Sequence, residues 1–159
     1  DRRLAGFGQG GRHRESAPRT ESRDRRGAGR DAAGAADIVA CATMATAPVL
    51  QGAWVRPGTH VDLIGAFRPD MREADDALLR KAEIFVDSRK TAVHDIGELN
   101  DPLQRGVLSE DDVRGDLHGL AACTAGRGGP EAITLYKNGG GAHLDLMTAN
   151  AILAAWERG

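Results

Sequence analysis

At 159 residues the chain is long enough for one domain with its own core, and 41% of it is apolar. The formal charge of −2 divides unevenly: residues 1–34 carry nine arginines against five acids, and the remainder twelve basic residues against eighteen acids. The acidic remainder offers no broad basic footprint for nucleic acid, no apolar run approaches the ~18 residues of a membrane span, and Cys41 and Cys123 lack the CxxC spacing of a zinc site or a disulfide framework. A cytoplasmic protein without a metal is the expectation.

In residues 1–34 Phe7 is the only aromatic and Leu4 the only large aliphatic. Such a stretch buries too little apolar surface to offset the ~1 to 2 kcal/mol per residue that backbone ordering costs. It is predicted to be disordered and outside the fold, a solvated tail or, alternatively, a weak nucleic-acid adaptor. Gly6-Phe7-Gly8-Gln9-Gly10-Gly11 spells GxGxxG. That motif holds a pyrophosphate only between a strand and the N-terminus of a helix. Too few residues precede it for a strand, and residues 12–30 lack helical apolar periodicity, so a working phosphate loop is not expected.

From Ala36 the pattern changes. Residues 36–42 form a short apolar run with β-branched members, as in a buried parallel strand. Residues 60–65 make a second run, and residues 74–82 have helical spacing with Ala74, Ala77, Leu78 and Ala82 on one face. Residues 83–87 are a third strand, so strand, helix and strand read as βαβ units and a parallel sheet. Ser88 is placed as the cap of a helix that Gly97 and Asn100-Asp101-Pro102 end. Ser109-Glu110-Asp111-Asp112 resembles a capping box, predicting a short helix through Leu117 and Leu120. Residues 126–130 are a glycine-rich loop, residues 132–136 a further strand, and a last, widely apolar helix reaches Trp156.

Several segments in this order resemble the ornithine cyclodeaminase/mu-crystallin family. They are Ala36-Asp37-Ile38-Val39 with Cys41-Ala42-Thr43, then Pro57-Gly58-Thr59-His60-Val61-Asp62-Leu63-Ile64-Gly65-Ala66 and Arg68-Pro69-Asp70-Met71-Arg72-Glu73. The pair Asp75-Asp76, Val86-Asp87-Ser88 and Ile133-Thr134-Leu135-Tyr136-Lys137 continue it, over residues 36–157. The resemblance implies an α/β fold: a partial Rossmann-type parallel sheet with a C-terminal strand and helix returning to a substrate and dimerisation domain. Residues 35–130 would supply the second half of the Rossmann domain and residues 131–159 the return. The family's first half, with its pyrophosphate loop and its basic residues for the substrate carboxylate, has no convincing match in residues 1–34.

In such a sheet ligands bind beyond the carboxyl ends of the strands. The resemblance places Thr43, Met44, Ile64, Gly65, Ala66 and Asn138 at the nicotinamide end of NAD or NADP, and Phe67 and Gly139 beside the substrate. Asn138 stands where the family has a serine, and an amide can still hydrogen-bond a carboxamide. Phe67 aligns with the catalytic aspartate of cyclodeaminases, and a phenyl ring exchanges no proton. The implied chemistry is therefore hydride reduction of an imine, of the pyrroline- or piperideine-2-carboxylate or ketimine type, with an imino or amino acid as partner and a homodimer as assembly. Ornithine cyclodeamination and non-catalytic, mu-crystallin-like nucleotide binding remain the alternatives, and the isolated chain is expected to be inactive. Arg68, Arg72, Glu73, Asp75 and Asp76 read as a strip of helix-start charges and surface pairs, and His143 as a histidine without a catalytic partner.

Overall fold

The computed structural model describes residues 4–8 and 25–158, the side chains of 4–8, 25–28 and 143 excepted. Six strands form one wholly parallel sheet: β1 (Leu4–Gly8), β2 (Ile38–Ala42), β3 (His60–Leu63), β4 (Glu83–Val86), β5 (Val113–Asp116) and β6 (Thr134–Lys137). Their spatial order is β1-β2-β3-β6-β4-β5. The helices are α1 (Arg25–Ala35), α2 (Asp76–Lys81), α3 (Arg89–Ala92), α4 (Gly97–Gln104), α5 (Leu117–Ala121) and α6 (Ala142–Trp156).

Alternation along the strands sends Val39 and Cys41, Val61 and Leu63, Leu135, and Ile84 and Val86 to one face. All are 0% exposed and form the main core with Leu50, Leu78, Leu79 and Leu99. α2 starts where the pattern places it, because the Asp75 carboxylate accepts the Leu78 N–H at 2.8 Å and caps the first turn. Asp75 also accepts from Gly52 N–H at 2.8 Å, which ties the helix to a 3-10 turn at Gly52–Trp54.

Four expectations are corrected. The leader is not wholly outside the fold: β1 pairs with β2 in register Leu4↔Ile38 to Gly8↔Ala42, and α1 buries Ala33 in the core. A ladder along the β2 edge and a seat for α1 supply what composition alone does not. A strand therefore runs into the GxGxxG stretch, ending at Gly8, while Gln9 to Gly11 lie outside the described residues, as do 1–3 and 12–24.

The second correction concerns Gly97 and Pro102, read as helix-ending signals, which lie within α4. The buried Glu98 carboxylate anchors the first turn to the backbone of Glu73 and Ala74. Gly97 starts it because a Cβ there would stand 2.2 Å from the carbonyl oxygen of Pro69. The third is β5, which went unread because Val113-Arg114-Gly115-Asp116 holds one β-branched residue.

The fourth correction is the domain division at residue 130. β6 does not leave for a second domain but pairs with β3 on one side (His60↔Thr134 to Leu63↔Lys137) and β4 on the other (Glu83↔Thr134 to Val86↔Lys137). Without it two interior edges would have unpaired backbone groups. α6 is the element that follows the sheet, and it carries Leu146, Met147, Ile152, Leu153 and Trp156 exposed.

The opposite face of the sheet is hollowed among the described residues. Ile38, His60, Thr134, Tyr136 and Phe85 line a hollow of about 690 Å³ with Leu120 and Arg127. His60 Nδ1 lies 2.8 Å from Thr134 Oγ1, which also accepts from Arg127. Parallel sheets ordinarily have both faces covered, and among the described residues this part of the face has no helix over it.

Candidate nicotinamide-end site

Because β2, β3 and β6 are neighbours and point the same way, the segments that follow them emerge side by side at one edge. Thr43 and Met44 follow β2, Ile64 to Phe67 follow β3, and Asn138 and Gly139 follow β6. The fold thus gathers all eight sequence-selected positions at the carboxyl edge, with the Gly8 end of β1 level with Ala42.

The eight differ in exposure. Met44, Ile64 and Phe67 are 68%, 45% and 55% exposed, three large apolar side chains on neighbouring turns. Arg68 lies over the Phe67 ring at 5.9 Å and holds Asp70 through two bonds of 2.9 and 2.8 Å. Thr43 and Ala66 are buried and face into the protein. Asn138 N–H donates to Leu63 O at 3.1 Å, and its Oδ1 accepts from Gly140 N–H at 2.8 Å.

Beneath this rim lies a charged layer. The Glu73 carboxylate is fully buried. Its Oε1 accepts from Thr43 N–H at 2.6 Å and the Thr43 hydroxyl at 2.8 Å; its Oε2 accepts from Gly65 N–H at 2.8 Å and Ala66 N–H at 3.4 Å. The Lys137 ammonium, also fully buried, donates to the carbonyls of Leu63, Ala66 and Asn138 at 3.0, 2.7 and 2.8 Å. Burial pulls the Lys137 pKa down, opposed by the charges of Glu98 and Glu73. Glu98 lies behind, accepting from Glu73 N–H at 2.7 Å and Ala74 N–H at 3.0 Å. Burial pushes its carboxyl up to about 7, against those two hydrogen bonds and the cations Lys137 and Arg72.

Asp87, at the end of β4, completes the edge. Its Oδ2 accepts from Gly139 and Gly140 N–H at 2.9 and 3.0 Å, and Oδ1 from Ser88 N–H at 2.7 Å. Gly65 is required by close approach to protein rather than to a ligand, since a Cβ would lie 2.0 Å from Thr43 O and 2.2 Å from Thr43 N.

Sequence reasoning missed Glu73, Glu98, Lys137 and Asp87 as site-shaping residues. Glu73 was read as one of a strip of helix-start charges and surface pairs; Asp76 and Arg72 do pair, at 2.9 Å, and Arg105 joins them, but the Arg72 side chain is largely buried. Lys137 carried a signal, as a lysine closing an otherwise apolar strand. The His143 side chain lies outside the described residues.

The rim suits a flat heteroaromatic ring bearing a carboxamide. Apolar Met44, Ile64 and Phe67 would meet its faces. Asn138, its oxygen taken by Gly140, keeps the Nδ2 hydrogens to offer.

Comparison with known proteins places the chain as a whole. Residues 26–159 match the ornithine cyclodeaminase/mu-crystallin family. A Δ1-pyrroline-2-carboxylate reductase of Paracoccus denitrificans is 60% identical over 122 residues, which are 76% of this chain and 39% of that protein. The Thermococcus litoralis Δ1-pyrroline-2-carboxylate reductase, solved with NADH and L-proline, superposes with a TM-score of 0.67 at 35% identity over 70% of this chain and 35% of its own. The iminosuccinate reductase of P. denitrificans, solved with NAD+, gives 0.72 at 29% identity over 82% and 40%. The chain spans about two-fifths of the length of these relatives. A parallel α/β sheet and a match running from α1 to the last residue lead to one assignment: the chain belongs to the ornithine cyclodeaminase/mu-crystallin family.

Proposed function

We propose that this chain forms the nicotinamide end of an NAD(P)H site in a protein that reduces the C=N bond of a small imino acid, of the Δ1-pyrroline-2-carboxylate class. The observation that carries it is the convergence of Thr43–Met44, Ile64–Phe67 and Asn138–Gly139 on neighbouring strand ends, in a chain so close to a reductase of that substrate. The cofactor, when bound, supplies hydride to the imine carbon. The chain's part is to orient and to exclude water: Met44, Ile64 and Phe67 provide apolar surface, and Asn138 a donor. Phe67 weighs against cyclodeamination, because none of the side chains on the rim between Met44 and Phe67 exchanges protons.

The exposed apolar face of α6 supports a homodimeric assembly, since a second copy would cover it. No helix among the described residues is long and apolar enough to cross a membrane. Cys41 and Cys123 are both free, which suits the reducing conditions of the cytoplasm, where we place the reaction.

The test is saturation-transfer NMR of the purified chain with NADH and with NADPH. Contacts confined to the nicotinamide end give a dissociation constant on the order of a millimolar, near −4 kcal/mol. The expected result is strongest saturation at the nicotinamide ring protons, with no reduction of Δ1-pyrroline-2-carboxylate by the chain alone. Saturation of the adenine protons only, or of none, would overturn the assignment.

A further inference from the structure

The carboxyl edge faces a mechanical problem. Thr43 and Gly65 belong to turns that follow separate strands, and turns beyond a ladder's last hydrogen bond ordinarily fray. Here the backbones approach so closely that Gly65 has no room for a Cβ against Thr43. Close approach brings N–H groups of both turns together where no carbonyl reaches them, and one side chain takes up four donors: Thr43 N–H, Thr43 Oγ1–H, Gly65 N–H and Ala66 N–H, all on the two oxygens of Glu73. Glu73 is itself fixed from behind, because its own N–H and that of Ala74 are held by Glu98.

We propose that Glu73 is a positioning residue that pre-assembles the ligand-facing edge, clamping the Thr43 turn to the Gly65–Ala66 turn before any ligand arrives. It touches no ligand. It sets the spacing between Met44 on one turn and Ile64 and Phe67 on the other, which lie outside the clamp and exposed. Lys137 does the matching work on the acceptor side, gathering the Leu63, Ala66 and Asn138 carbonyls. The residue selected by this geometry has a carboxylate because only an acceptor with two oxygens serves both turns at once. The functional meaning of the clamp rests on the nicotinamide reading above, whereas its existence does not.

The experiment compares the full chain with Glu73→Gln by amide hydrogen exchange without ligand. The amide NH2 of glutamine replaces one acceptor oxygen with a donor, so one turn is released. Exchange at the amides of Thr43, Gly65 and Ala66 is expected to quicken at least tenfold while Val61, Ile84 and Leu135 stay within twofold. Acceleration spread evenly over the sheet, or none, would show Glu73 to be ordinary core and overturn the proposal. Should Glu73→Gln lack a cooperative unfolding transition, Thr43→Val, which removes one of the four donors, is read by the same amides, and no change at Gly65 and Ala66 overturns the clamp.

A second arm reads function. With NADH present, nicotinamide saturation is expected to fall at least threefold in Glu73→Gln. Unchanged nicotinamide saturation counts against positioning. If the unaltered chain shows no nicotinamide saturation, the cofactor assignment fails, and the exchange data alone decide whether the clamp exists.

Discussion

Glu73 and Lys137 grip opposite ends of the same residue: the N–H of Ala66 donates to Glu73 Oε2, and its carbonyl accepts from Lys137 Nζ. The two charges do not bond each other directly. Lys137 is satisfied by main chain, and Glu73 by main chain and the Thr43 hydroxyl, so the pair forms a layer of charge-assisted hydrogen bonds under the rim.

Lys137→Met removes the ammonium from the carbonyls of Leu63, Ala66 and Asn138, of which Leu63 O keeps the Asn138 N–H and Asn138 O is only part-buried. Unsatisfied buried groups cost ~1 to 3 kcal/mol each, partly relieved by relaxation, so a loss of about 3 kcal/mol in urea unfolding is expected. Arg105→Met, on an exposed ion-pair cluster screened by solvent, should barely move the urea midpoint. Equal effects of the two would show that Lys137 is not the satisfied donor described.

Gly65→Ala places a methyl group inside contact distance of the Thr43 backbone. Overpacking against main chain that cannot rotate away should cost about 2 to 3 kcal/mol. Gly129→Ala, with open space at its Cβ, is the control and should stay within about 0.5 kcal/mol. The check is the urea midpoint of both variants.

Glu98 gives a pH signature. Its folded-state pKa, raised by burial to about 7, lies above the ordinary value of 4.5. A carboxyl so raised favours the folded state fully at low pH, and that contribution is lost as pH rises from about 4.5 to about 7, where the unfolded chain releases a proton that the folded one keeps. The stability of the native chain minus that of Glu98→Gln should therefore decline across this window, by at most ~1.4 kcal/mol per pH unit. A difference that rises with pH would invert the assignment.

The two cysteines should separate cleanly in a thiol titration at pH 8. Cys41 is buried in the core, and desolvation pushes its thiol up to about 12, whereas Cys123 is exposed. The thiolate is the reactive form. One equivalent of thiol is expected to react in the native chain and two after denaturation.

Self-association should depend on α6. Leu153 and Trp156 are 55% and 83% exposed, and introducing Glu at both should shift sedimentation toward monomer. Sedimentation unaffected by the double change would remove α6 from the interface.

How much of this was legible varies with the physics. β2, β3, β4 and β6 showed themselves because strands buried in a parallel sheet must be short apolar runs, whereas the eight rim positions came from the family resemblance, on strand ends where open α/β sheets bind ligands. β5 and α4 did not, since a tertiary partner overrode weak propensity: pairing with β4 for Val113–Asp116, the Glu98 anchor for Gly97–Gln104. Glu73 was invisible as a buried group because its satisfaction comes from main chain of turns 7 to 30 residues away, which no local pattern records. The place of β6 was equally hidden, since strand order is a property of the chain's crossovers.

That place has a kinetic consequence. β6 is made last yet sits in the middle, joining residues 74 apart in the chain at His60↔Thr134. Until it emerges, β3 and β4 each present a bare interior edge, so the sheet exists only as two unjoined halves, and folding awaits the final loop closure. A nascent or truncated chain ending before Thr134 should accordingly be a chaperone client and a substrate for proteolysis.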